Sequence, residues 1–226
     1  MEIIVNHLTR MKAPRVCVAG METGASRHIR PVTDRSNPLT RDLLAENGGP
    51  FALGAVVELG EVRPQPSPPE VEDHAFRPRN AVVVEMLSPD GYFEALYERA
   101  HRDIESVFGS ELMRTDWTYA TEEGRGSASL GVLLTSRKPG LEVNDYGKLR
   151  LRINDPDKPA YLPVTDLRFY EADQDTIRTA AVADVNARMS RGVDTLLMLG
   201  LARLFQGRHW VQVNGICLAD RPLDNY

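Results

Sequence analysis

The sequence predicts a mainly β chain with a few helices (α+β), built as two small β-barrels in tandem, and three observations predict it. Two β-rich segments, residues 1–80 and 129–226, flank a stretch with helical periodicity at 81–128. Neither segment alternates strands with long helices, which argues against a doubly wound sheet. A length of 226 residues gives each of two small domains enough chain for its own core. The expected division is therefore an N-terminal barrel over 1–80, a helical connection over 81–128, and a C-terminal barrel with an inserted helix over 129–226.

In chain order, residues 3–5, 15–19 and 28–32 are short runs rich in β-branched residues between turn formers, and each reads as a strand. Residues 39–45 suit one or two helical turns, and 55–59 form a fourth strand after the Gly-Gly-Pro break at 48–50. PQPSPPE at 64–70, with four prolines, is incompatible with regular structure and is expected as a boundary or an extended crossing. A strand at 82–85 precedes SPDG at 88–91, which supplies helix-capping chemistry. Phe93, Leu96, Tyr97, Ala100, Ile104, Val107 and Phe108 then recur at spacings of three and four before Gly109, predicting one helix with an apolar stripe.

Strand patterns return with LGVLL at 130–134 and with LEVNDYGKLRLRIN at 141–154, a hairpin turning near 144–147. Its second arm sends Leu149, Leu151 and Ile153 to one face and Lys148, Arg150 and Arg152 to the other. Residues 161–170 continue the strands, and acidic EADQD at 171–175 opens a helix over 177–189. HWVQVNGICL at 209–218 reads as a strand. LLMLGLA at 196–202 fits a buried strand or a helix equally well by pattern.

Apolar residues make up 42% and charged residues 26%, which indicates neither disorder nor a fibrous class. No stretch approaches the roughly 18–20 apolar residues of a membrane span, and MEIIVNHLTR lacks the layout of a secretory signal. A cytoplasmic protein with no membrane partner is expected. Cys17 and Cys217 stand in apolar runs without a CxxC partner and read as buried thiols. The net charge of −5 resides in residues 81–226, which hold 17 basic and 22 acidic side chains, so a nucleic-acid site has to be a local patch. Only four of 27 basic residues are lysine. Arginine suits bidentate contacts to phosphate and bases, although codon use in a GC-rich genome produces the same excess. There is no GxxxxGK[ST] phosphate loop, no GxGxxG after a strand, no GxSxG elbow and no HExxH.

Arg27, His28 and Arg30 arrive within four positions, but on a regular strand only His28 and Arg30 share a face, so that pair is the candidate ligand contact. Arg77 and Arg79 flank Pro78 in a basic turn. Lys148, Arg150 and Arg152 form either a solvated strand face or a strip that tracks phosphates. Trp117 and Tyr119 in DWTYA are the candidate rings for base stacking, while Trp210 reads as core. In PPEVEDHAF, carboxylates stand beside an imidazole, and Asp73 with His74 would serve an alternative catalytic role. No converging ligands are nominated elsewhere, so neither a metal nor another cofactor is expected.

RVCVAGMETGASRHIRPVT at 15–33, PPEVEDH at 68–74, LGLARLF at 199–205 and HWVQVNGICL together resemble the bacterial family of dual OB domain-containing proteins. The resemblance implies two tandem OB-like barrels and makes LLMLGLA a strand. It also implies an association with prokaryotic antiviral defence or mobile-element systems. It brings no catalytic set, and nucleic-acid binding in such a family follows from the fold, which does not by itself establish function.

The leading expectation is a non-enzymatic module that holds single-stranded nucleic acid or a nucleotide. Its first rival is a metal-dependent enzyme acting on nucleic acid or nucleotides through Asp73 and His74. The second is an adaptor that binds protein partners in a defence complex, or that forms a homodimer.

Overall fold

Side-chain alternation distributes this chain among three apolar cores, and the sheets follow from that division. The structure, a computed structural model, describes residues 1–33, 38–135, 138–154 and 158–224. The first unit contains β1 (Glu2–Arg10), β2 (Val16–Glu22), β3 (His28–Val32), β4 (Ala55–Glu58), β5 (Arg63–Pro64), β6 (Asp73–Ala75) and β7 (Val82–Met86). They form one sheet in the order β5-β6-β3-β2-β1-β4-β7, antiparallel except at β3–β6. Helix α1 (Pro89–Tyr97) leads into the second unit.

The second unit contains β8 (Ala100–His101), α2 (Ile104–Phe108), β9 (Met113–Arg114), β10 (Tyr119–Glu122), β11 (Leu130–Thr135), β12 (Gly140–Val143), β13 (Leu149–Ile153), β14 (Ala160–Pro163), α3 (Thr179–Ser190), β15 (Thr195–Leu201) and β16 (Arg208–Leu218). A six-stranded sheet runs β8-β11-β15-β16-β10-β9, and a three-stranded sheet runs β12-β13-β14. A bridge between Val164 and Val213 links the two. Among the described residues, no helix is long and apolar enough to cross a membrane.

Successive residues of a strand point to opposite faces, and the central strands here are buried on both. Ile3, Val5, Val16, Val18, Ile29, Ala55 and Val57 close the first core around Phe51 and Phe76, joined by Leu167 from the second half of the chain. Leu149, Leu151, Leu197, Leu199, Val211 and Val213 form the second core with Val185 and Met189 of α3. The alternate residues make a third core between the units: Ile4, Met21 and Val56 meet Val132, Leu134, Leu196, Met198 and Cys217, with Tyr92 and Leu96 of α1. This third core explains why TLLMLGL in β15 is apolar at both parities, since both of its faces are dry.

The segment 81–128 is not a helical connection. β7 belongs to the first sheet, whereas β8, β9 and β10 belong to the second, so the chain passes from one unit to the other around α1. The single helix expected over 93–108 is split in two. Ala100 and His101 pair with Val132 and Leu133 of β11, and Asp103 then caps a new helix by accepting from the Ser106 amide at 2.7 Å. PQPSPPE lies between β5 and β6 inside the first unit rather than at a boundary. The hairpin at 140–153 turns where Asn144 Oδ1 accepts from the amides of Tyr146 and Lys148.

Replacing Leu196, which is 0% exposed in the shared core, with alanine should cost about 2–5 kcal/mol. Because this core joins both units, one transition should be seen by tryptophan fluorescence and by far-ultraviolet circular dichroism. Separate midpoints for the two signals would contradict the shared core.

Candidate nucleic-acid interface

β1 decides what faces the seam between the units. Its register slips at Asn6, so that Val5 pairs with Gly20 and His7 with Ala19. The bulge places His7 and Thr9 on the same face as Ile4, opposite Ala19 and Cys17. The seam is thus apolar around α1 and polar further along β1. His7 is 0% exposed and neither ring nitrogen has a hydrogen-bond partner. His28 sits 5.5 Å away, edge to face, with Asn6 Nδ2 at 3.3 Å from its Nε2. Burial holds the His7 imidazolium well below the usual histidine range, with His28 and Arg30 adding repulsion. Burial likewise brings His28 down to about 4, helped by Arg99 and His101.

His28 and Arg30 do share a face of β3, but that face looks into the seam rather than into solvent. Arg30 is 4% exposed and its Nε donates to Asp73 Oδ1 at 2.5 Å. Arg203, in the turn between β15 and β16, reaches Glu70 at 2.5 Å and Asp73 at 3.6 Å. An alternating chain of charges, Arg30–Asp73–Arg203–Glu70, therefore ties the two units together. A cavity of about 850 Å³ opens beside it, lined by Arg15, Cys17, Arg30 and Asp73 from the first unit and by Arg203 and His209 from the second. Arg27 lies outside, paired with Glu22 at 2.5 Å.

The acidic segment is structural. Glu72 is buried and accepts from the Ser129 amide at 2.7 Å, the Ser129 hydroxyl at 2.6 Å and the Leu130 amide at 3.2 Å. It binds β6 to the start of β11 with both carboxylate oxygens satisfied. Asp73 and His74 are successive strand residues on opposite faces. Asp73 is engaged by two arginines, and His74 Nδ1 donates to the Glu72 carbonyl at 2.8 Å. The pair does not converge on one reacting atom, contrary to the alternative catalytic assignment. Among the described residues, no three His, Cys, Asp or Glu side chains gather as a cation site.

The aromatic surface differs from expectation in its membership. Trp117 is 50% exposed and stacks on Trp210 with centroids 6.1 Å apart and planes inclined by 13°. The Arg208 guanidinium lies 5.9 Å from the Trp210 ring centre. Phe205, 62% exposed, accepts from Trp210 Nε1 through its carbonyl at 3.1 Å. Tyr119, by contrast, is buried in the second core with Arg114 against its ring. Alternation gives the reason: Val211 and Val213 point into the core, so Trp210 points out.

Of the basic row, Arg152 is exposed and pairs in register with Tyr161, whose amide donates to the Trp117 carbonyl at 2.9 Å. Arg150 is half-buried opposite Glu142, and Lys148 is 3.5 Å from Asp175. Arg77 and Arg79 are exposed on the first unit, around the turn at Pro78–Asn80, apart from this surface. Thus, of the predicted cations, Arg152 is the one whose strand partner bonds to Trp117. The sequence reading missed Arg203, Phe205 and Arg208, which lie in or beside the turn between two strands and carry no motif.

A family model described as a dual OB-containing domain matches residues 1–216. No curated protein and no solved structure matches the chain.

Buried His7 and half-buried His28 predict an acid-sensitive fold. Between about 4 and the ordinary value of 6.5, the unfolded chain protonates His28 and the folded chain does not. Stability is therefore fully present above this window and falls as the pH drops through it, by about 1.4 kcal/mol per pH unit for each such histidine. His28→Gln should flatten the dependence of urea midpoints on pH between 6.5 and 4. An unchanged slope would contradict a His28 that stays neutral in the fold.

Proposed function

The chain belongs to the dual OB-containing domain family, a family of OB-fold binding modules, and from that premise we propose that it binds single-stranded nucleic acid or a nucleotide through the second unit. The observation that supports this reading is the Trp117–Trp210 stack. An exposed indole, Trp117, stacked near-parallel on the half-buried Trp210 beside an exposed phenylalanine forms a surface on which bases stack without regard to sequence. Arg208 over Trp210 and Arg152 beside Tyr161 supply the adjoining positive charge. Binding on this surface draws more on stacking than on phosphate neutralisation, because the chain as a whole carries −5. We place the activity in the cytoplasm of a prokaryote, within a defence or mobile-element system; that setting rests on the resemblance of the motifs alone.

Both tryptophans of the chain belong to this surface, so intrinsic fluorescence reads it directly. An oligothymidylate should quench the emission on binding. Trp117→Ala should weaken binding by about 1–3 kcal/mol in anisotropy titrations, and Arg152→Ala should lower the salt slope by about one. Absence of quenching by oligonucleotide or mononucleotide at low salt would overturn the reading.

A further inference from the structure

The first sheet ends in two edges of opposite character. β5 is two residues long and consists of Arg63 and Pro64, the charge and the proline by which natural sheets blunt an edge. β7 is five residues long, VVVEM, and every residue is exposed. Val82, Val83, Val84 and Met86 each leave between 47% and 54% of their surface in solvent. One side of β7 is paired with β4, from Glu58 opposite Val82 to Ala55 opposite Met86. Among the described residues, no strand covers the other side. Val83 and Met86 share a face with Val57 and Ala55, yet they lie beyond the first core. An apolar strand uncovered on both faces and along one edge is a template for another strand.

We propose that β7 is a dimerisation edge, pairing antiparallel with β7 of a second copy of this chain so that the two first sheets continue across a two-fold axis. Charge selects both the partner and the direction. Arg77 and Arg79, before β7, are exposed and have no ion-pair partner among the described residues; Glu85 and Asp90, within and after it, are exposed as well. Antiparallel self-pairing sets the basic flank of one copy alongside the acidic flank of the other, whereas a parallel arrangement sets like beside like. A register centred on Val84 places Val82 opposite Met86 and Glu85 opposite Val83, with no like charges face to face. The closed two-fold contact also uses up the edge and stops further growth. The β4–β7 register shifts beside Val84, which limits the new ladder to a few residues and makes the dimer one that dissociates on dilution. Arg77 and Arg79 thus belong to the rim of this contact.

The test is light scattering after size exclusion, from roughly 1 to 100 µM, the range in which a weak specific contact saturates. The wild-type mass should rise from 25.2 kDa towards twice that value. Val84→Lys, an exposed change whose melting temperature and circular dichroism should match wild type, should stay at 25.2 kDa throughout. Arg79→Glu should weaken the dimer, and adding Asp90→Lys should restore it. A wild type that stays monomeric, a Val84→Lys variant that dimerises normally, or a charge swap without rescue would each overturn the proposal. Oligonucleotide quenching should be the same in Val84→Lys as in wild type, so this proposal and the stacking site fail separately.

Discussion

The apolar core shared by the two units is the constraint on which the rest of the molecule depends. Ile4, Met21 and Val56 on one side and Val132, Leu196, Met198 and Cys217 on the other require that β1, β2, β4, β11, β15 and β16 be dry on both faces. Each fully buried aliphatic side chain contributes about 1.5–3 kcal/mol relative to exposure, so this layer holds the units together as strongly as a domain core. Leu167 strengthens the arrangement by leaving the second half of the chain and packing into the first core. Each unit keeps a core of its own, and the shared layer packs the two against each other.

The same seam sets the position of the aromatic surface. Beyond its apolar part, the β1 bulge at Asn6 turns His7 and Thr9 inward, and the seam becomes polar. Arg203 spans this end and fastens the β15–β16 turn to Glu70 and Asp73 of the first unit. With the turn fastened, Phe205, Arg208 and Trp210 stand on its outer side, and Trp210 meets Trp117 from the approach to β10. Buried His7 and half-buried His28 are tolerated here only while they remain uncharged, which links the seam to pH.

Much of the fold was legible in the sequence where one face of an element is wet. Leu149, Leu151 and Ile153 alternate with Lys148, Arg150 and Arg152 as a half-solvated strand must. The reading lost its grip where both faces are buried: TLLMLGL has no alternation because its odd residues enter the second core and its even ones the shared core. It also ran one helix through Ala100 and His101, because strand pairing to β11 overrides a periodicity that the sequence carries on both sides. Trp117 is exposed, as a local reading expects, whereas Tyr119 is buried and Trp210 only half-buried, because their facing depends on strand register. Arg30 looked like a ligand handle because its partner, Asp73, is 43 residues away.

The central claim is that the two units are one cooperative body joined through β1, β15 and β16. Native-state hydrogen exchange tests it most directly, since it assigns an opening free energy to each segment. The account predicts that slow amides of residues 2–10, 195–201 and 208–218 exchange only by global unfolding, with one common free energy and one denaturant dependence. Exchange of 2–10 through a separate, lower-energy opening while 195–201 stays protected would contradict it.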